Sequence, residues 1–265
     1  MMRAFGVNSS ASHEAPMSSA STSFDTILFK YEAASGPFTE TYDLGLGAVC
    51  NVVTAIETRV ASMFRSRAER KVAEAGYDPA RLPPGQYLTE KWPVLHAGDV
   101  PHYPADLAGW DFRVYGEVEA PLTLGWEELD ALPKESVVQD IHCVTRWSRF
   151  DAELTGVPWA TIRERVSPLP SAHYAIAHAE AGYTANVPAS ALDLEGALLV
   201  THADGAPLTP EHGWPLRLVV PERYFWKSAK WLRAIELRAA DAPGFWERYG
   251  YHNDADPWKE ERYAF

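Results

Sequence analysis

Asp111–Val118 reads DFRVYGEV. Apolar and polar side chains alternate along it with the period of two that puts neighbours on opposite faces of a half-buried strand. The reading extends outward from there. Thr123–Leu132 predicts a short helix, with Thr123 as N-cap and Pro133 as its stop. Val137–Ile141 is an apolar strand that delivers His142 and Cys143 at its end. Pro158 suits the first turn of a helix running to about Val166. Residues 173–179, 197–202, 214–220 and 231–238 read as further strands. Asp204-Gly205 is a strong turn signal, although the strand beginning at Trp214 starts late enough to require a loop. Many short strands with a few short helices predict an α+β fold, mixed and mainly β, rather than a doubly wound parallel sheet. No GxGxxG, P-loop or repeat is present.

This dense pattern begins after Leu82-Pro83-Pro84-Gly85. Residues 1–23 are rich in Ser, Ala and Thr and read as disordered, and residues 24–62 carry no chemistry that can be recognised. The expectation is that 1–62 form a disordered extension or reflect a mis-assigned start, with a single domain spanning 63–265 from Met63.

The chain has 265 residues and a formal charge of -12, which disfavours nucleic acid and anionic membranes as partners. An anion site must then be a local basic cluster. Ten tryptophans point to a packed core or a walled pocket, the core being favoured. Cys50 and Cys143 are too few for a disulfide framework and fit a reduced chain. There is no apolar run long enough to span a membrane and no hydrophobic leader, so the expected location is cytoplasmic.

Four stretches could carry chemistry. Cys143 lies in DIHCVTRWSR (140–149), between an apolar strand and a basic loop whose Arg146 and Arg149 favour a thiolate. Taken alone it reads as a buried structural cysteine. His142 is a poor base for it, because adjacent strand residues face opposite ways. EHGWPLRLVVP (211–221) and WKSAKW (226–231) together bring His212, Arg217, Ser228 and Lys230 into a short span. Such a set suits a phosphate, although a solvated basic strand pair is an equal reading. PGFWERYGYHNDADPW (243–258) is aromatic and punctuated by Gly and Pro, and reads as a cap or as packing. The histidines form no convincing zinc or iron site, and no GxSxG or HExxH occurs.

In order, PPGQYLTEKWPVLHAGDVP, DIHCVTRWS, AGYTANVP, HGWPLRLVVP, WKSAKWL and GFWERYGYHNDADPW resemble the molybdopterin-binding catalytic domain of the sulfite oxidase family, including its short bacterial members. The resemblance covers roughly residues 82 to 263. It implies the sulfite-oxidase-type fold and a molybdenum–molybdopterin cofactor, with Cys143 as the thiolate ligand to the metal. It implies that His212 and Arg217 hold the cofactor, that Ser228, Ala229 and Lys230 contact its pterin and phosphate end, and that His178 makes a further contact. Tyr251 looks like the tyrosine such enzymes keep near the metal. Arg146 lies in the loop where they carry substrate arginines, at a different spacing from the cysteine, so the resemblance stops short of sulfite itself.

The implied activity is oxygen-atom transfer to or from a small sulfite-, sulfoxide- or N-oxide-like substrate, in a minimal catalytic unit that exchanges electrons with a separate redox protein. The alternatives are a metal-independent thiol enzyme using Cys143, which requires a low thiol pKa, and a non-catalytic relative that only binds pterin or another anion.

Overall fold

The computed structural model describes residues 67–264; the expectations for residues 1–62 and for Cys50 lie outside this range. Helical residues 67–74 (α1) are followed by strands β1 (Tyr87–Leu88), β2 (Asp111–Gly116) and β3 (Leu122–Gly125). Then come α2 (Trp126–Asp130), β4 (Glu135–His142), β5 (Trp147–Pro158) and α3 (Trp159–Val166). The remaining strands are β6 (Tyr174–Ala179), β7 (Thr184–Pro188), β8 (Leu198–Ala203), β9 (Ala206–Pro207), β10 (Arg217–Val219) and β11 (Leu232–Arg238).

They form two sheets. One runs β1-β5-β8-β10, with β4 added on β5 and β9 on β8; the other runs β3-β2-β11-β6-β7. Most pairs are antiparallel, but β1 with β5 and β11 with β2 are parallel. The result is the mixed, mainly β architecture with short helices that the alternation predicts.

The central strand β8 explains how the two halves of the core meet. Leu199 packs into the larger cluster with Phe112, Ile162 and Ile235, while Leu198 and Val200 face the cluster containing Ile141, Trp147 and Leu154. Both faces of β8 are therefore buried, which is why it is a continuous apolar run rather than an alternating one. Each such Leu or Val contributes about 1.5–3 kcal/mol of burial. A smaller cluster of Val72, Leu82 and Phe150 seats α1 against β5.

Two local expectations are corrected. Thr123 does not cap a helix; it sits in β3 opposite Arg113, and α2 starts only at Trp126. The cap there is the Glu128 carboxylate, which accepts the Gly125 N–H at 2.8 Å. Asp204-Gly205 does close a two-residue hairpin, with positive φ at both residues (51° and 74°) as a type I′ turn needs. Its partner strand is the short β9, with Ala203 opposite Ala206, whereas β10 pairs with the other edge of β8.

Candidate active site

Cys143 leaves the end of β4 at a tight turn into β5. The turn is closed by Cys143 N–H to Trp147 O (2.9 Å) and Arg146 N–H to Cys143 O (3.0 Å), with Arg146 at φ 76°. The thiol borders a cavity of about 300 Å³ that also receives His212, Arg217, Ser228, Lys230 and Tyr251. Burial pushes the Cys143 thiol up, opposed by a hydrogen bond between Sγ and Thr145 Oγ1 (3.2 Å) and by the fields of Arg217 and Arg262. A metal-free thiol enzyme requires the opposite shift. His142 bonds Ser148 Oγ through Nδ1 (2.8 Å), and burial pushes its pKa down to about 4, so it is no base for Cys143.

The lining of the same cavity also carries basic side chains. Arg217 is 3% exposed and donates from Nη1 to His212 O (2.9 Å) and from Nη2 to Ser228 O (3.1 Å), while its buried Nε has no partner among the described residues. Burial pushes its pKa down to about 9. Lys230 Nζ donates to Leu95 O (2.7 Å) and Glu211 O (2.9 Å), and burial with the Arg217 charge pushes its pKa down to about 7. His212 reaches Trp92 O through Nε2 (3.2 Å), and burial lowers its pKa too. Among the described residues, neither Arg217 nor Lys230 nor His212 has a carboxylate within ion-pair distance. A buried guanidinium beside the half-buried Lys230 ammonium, with no counter-charge, is unfavourable, and an anion would relieve it. A free donor, crowded cations and a thiol on one cavity fit a phosphate-bearing pterin dithiolene held through a soft sulfur ligand.

Aromatic rings shape the rest. Tyr251 packs edge-on to Trp226 (5.1 Å) and against Trp246 (4.9 Å), and burial raises its pKa, so its hydroxyl stays protonated. Phe225 lies under the Arg217 guanidinium at 4.0 Å. Trp92, Trp147, Trp226, Trp231 and Trp246 all line the cavity, so half of the ten tryptophans wall a pocket, and three of these, Trp147, Trp226 and Trp231, are buried in the core as well.

The structure does not bring every expected residue here. His178 points away: Ala175 and Ala177 of β6 face the core, so alternation turns His178 to the other face of the sheet. There it bonds Glu236 Oε2 (3.0 Å) and stacks on Tyr115. Arg146 is exposed at its turn and does not line the cavity; its field falls on Tyr224 and Arg262. Ala229 is buried beside the lining, its carbonyl accepting from Leu218 N–H (2.9 Å). Sequence reasoning missed Thr145, legible as a hydroxyl two residues from the cysteine, and Trp92 and Tyr183, which only long-range folding delivers.

The family described as the oxidoreductase molybdopterin binding domain matches residues 97–246, more than half of the chain. The oxidoreductase YuiH of Bacillus subtilis is 48% identical over 185 residues, covering 70% of this chain and 93% of that relative. A putative protein-methionine-sulfoxide reductase subunit, YedZ1 of Azospira oryzae, is 27% identical across 79% of this chain and 81% of its own length. The catalytic subunit MsrP of a protein-methionine-sulfoxide reductase from Ralstonia nicotianae is 29% identical across 62% of this chain, which spans only 54% of that protein. Among solved structures, the sulfane dehydrogenase SoxCD of Paracoccus pantotrophus aligns with a TM-score of 0.50 at 20% identity, over 58% of this chain and 43% of that one. This last likeness concerns the fold.

Proposed function

The chain belongs to the oxidoreductase molybdopterin-binding domain family and is a molybdopterin oxidoreductase, and from that premise we propose that it reduces a small neutral sulfoxide-type substrate with electrons from a separate redox protein. The observation that carries the reading is the shared cavity, lined both by Cys143 and by Arg217, Lys230 and His212, which have no acidic partner among the described residues. When bound, the molybdenum–pterin group supplies two-electron oxygen-atom transfer. Cys143 would hold the metal, and Arg217, Lys230, His212 and Ser228 the pterin and its phosphate.

The chain's own part is to bind, orient and exclude water. Val144, Trp226, Trp246 and Tyr251 give an aromatic and apolar approach to the Cys143 wall. With Arg146 outside the cavity, an anion such as sulfite lacks a dedicated arginine there, whereas a neutral S=O can accept from the Tyr251 hydroxyl. The balance is one sulfoxide, two electrons and two protons to one thioether and one water. The sulfoxide-reductase relatives support this direction, and binding without turnover is the competing outcome.

The test is molybdenum content per chain, and turnover of sulfoxides against sulfite, in protein from a host that makes the pterin. Near one molybdenum in the parent, lost in Cys143→Ala, with sulfoxide reduction, is expected. Sulfite oxidation without sulfoxide reduction would sink the substrate proposal, and full metal in Cys143→Ala the ligand assignment.

A further inference from the structure

The Cys143 turn has few bonds of its own. Besides the two that close it, its carbonyls at Cys143 and Val144 are taken by two side chains from distant parts of the chain. Gln86, 4% exposed, donates from Nε2 to Cys143 O at 3.0 Å. Arg262, 6% exposed, donates from Nη1 to Val144 O at 2.7 Å and from Nη2 to Pro84 O at 3.3 Å, with its guanidinium 4.8 Å from the Tyr224 ring centroid. Its nearest carboxylate is Glu260 at 3.9 Å, half exposed, so the guanidinium is held mainly by carbonyls. Gly85, at φ 70°, keeps this junction tight, because a Cβ there would lie 3.2 Å from Arg262 Nη2 and much nearer Glu260 Oε1.

The same segment reaches the tyrosine of the site. His252 N–H donates to Arg262 O (3.2 Å), and Tyr251 bridges Tyr263 in antiparallel fashion. Neither Gln86 nor Arg262 lies within the family-matched residues 97–246. Two flanks of the chain thus converge on the turn that carries the thiol.

We propose that Arg262 is a positioning residue for Cys143: with Gln86 it braces the 143–146 turn against the 251–263 segment, so that thiol and Tyr251 are presented to the cavity as one unit. A planar fork suits the task, since one guanidinium spans two carbonyls where an ammonium cannot hold both in plane. Its positive charge also acts on the Cys143 thiol, favouring the thiolate, so it bears on the electron density that a metal would meet through that sulfur.

The test compares the full-length parent with Arg262→Lys, Arg262→Gln and Gln86→Leu. It reads hydrogen exchange of residues 141–149 in metal-free protein, and the electron paramagnetic resonance of molybdenum-loaded, half-reduced protein. In Arg262→Gln the Cys143 and Arg146 amides should exchange on the order of tenfold faster, from loss of a charge-assisted hydrogen bond. The β11 amides should stay unchanged, Arg262→Lys should show a smaller effect, and the resonance positions should move. Parent-like exchange and spectrum in every variant that folds would overturn the proposal. So would a uniform loss of protection over both sheets with an unmoved spectrum, which is a purely structural role. Should Arg262→Gln not fold, Arg262→Lys and Gln86→Leu decide by the same readings. The inference rests on Cys143 as the metal's thiolate: a parent that takes up no molybdenum overturns it through that premise, whereas unmoved exchange in a loaded parent overturns the brace alone.

Discussion

Lys230 shows how the site's charge can be read in solution. Burial and Arg217 lower its pKa from 10.5 to about 7. Between those values the unfolded chain holds a proton that the folded chain has released, so this group makes metal-free stability rise with pH across that window. Below about 7 both states are protonated and the contribution is flat. Urea midpoints measured from pH 7 to 10 should therefore climb in the parent, and the climb should shrink in Lys230→Met. Inorganic pyrophosphate, used as a probe of the cluster, should bind metal-free protein more weakly as pH rises through 7, by titration calorimetry. Arg217→Gln should weaken that binding about 10–100-fold, the value of one or two charge-assisted hydrogen bonds; unchanged affinity would detach Arg217 from anion binding. At this scale the sequence was informative about Cys143, His212, Arg217 and Lys230, whose types suit a common site and which the fold brings to one cavity. It did not announce that a strand face and a turn send the side chains of His178 and Arg146 away from that cavity.

The strands depend on contacts that no local pattern announces. Gly156 sits at the register shift between β5 and β8, and a Cβ there would lie 2.6 Å from Val200 Cα and nearer still to Leu199 O. Both atoms are backbone, so neither can swing aside. Gly156→Ala should cost about 1–3 kcal/mol or more, visible as a lower urea midpoint, whereas Gly182→Ala, with nothing within 4 Å of its Cβ, should lose only what its positive φ imposes. Leu199→Ala, at a fully buried position of β8, should cost about 2–5 kcal/mol; a loss under about 1 kcal/mol would mean that β8 is not the strand joining the two clusters. Period-two alternation exposed β2, β6 and β11 to sequence reading, whereas the twelve-residue β5 went unread. The false N-cap at Thr123 arose because pairing with β2 claims residues up to Gly125 before the helix can start.

For the molecule as a whole, the uncompensated cations of the cavity are a cost that a bound anion relieves, within a chain of net charge -12. A ligand present at about a thousandfold its dissociation constant stabilises by ~4 kcal/mol. In a protein of this size that corresponds to about 8–16 °C in Tm. Molybdenum-loaded protein should melt that much above metal-free protein in calorimetry, and the gap should collapse in Arg217→Gln. Equal melting temperatures in a sample of verified metal content would argue against the cluster as the cofactor's anchor.

Residue types and their short-range periods sufficed to determine an α+β chain of many short strands, a cysteine at a strand end and a basic cluster, because alternation and side-chain chemistry are local properties. The tertiary structure decided which of those residues share a cavity, since that follows from strand pairing and sheet faces across more than a hundred residues. It sent His178 to the far face of its sheet, walled the pocket with half of the tryptophans, and brought Gln86 and Arg262 onto the Cys143 turn. No window of sequence holds those last two together; only the closing of both sheets around a common core does.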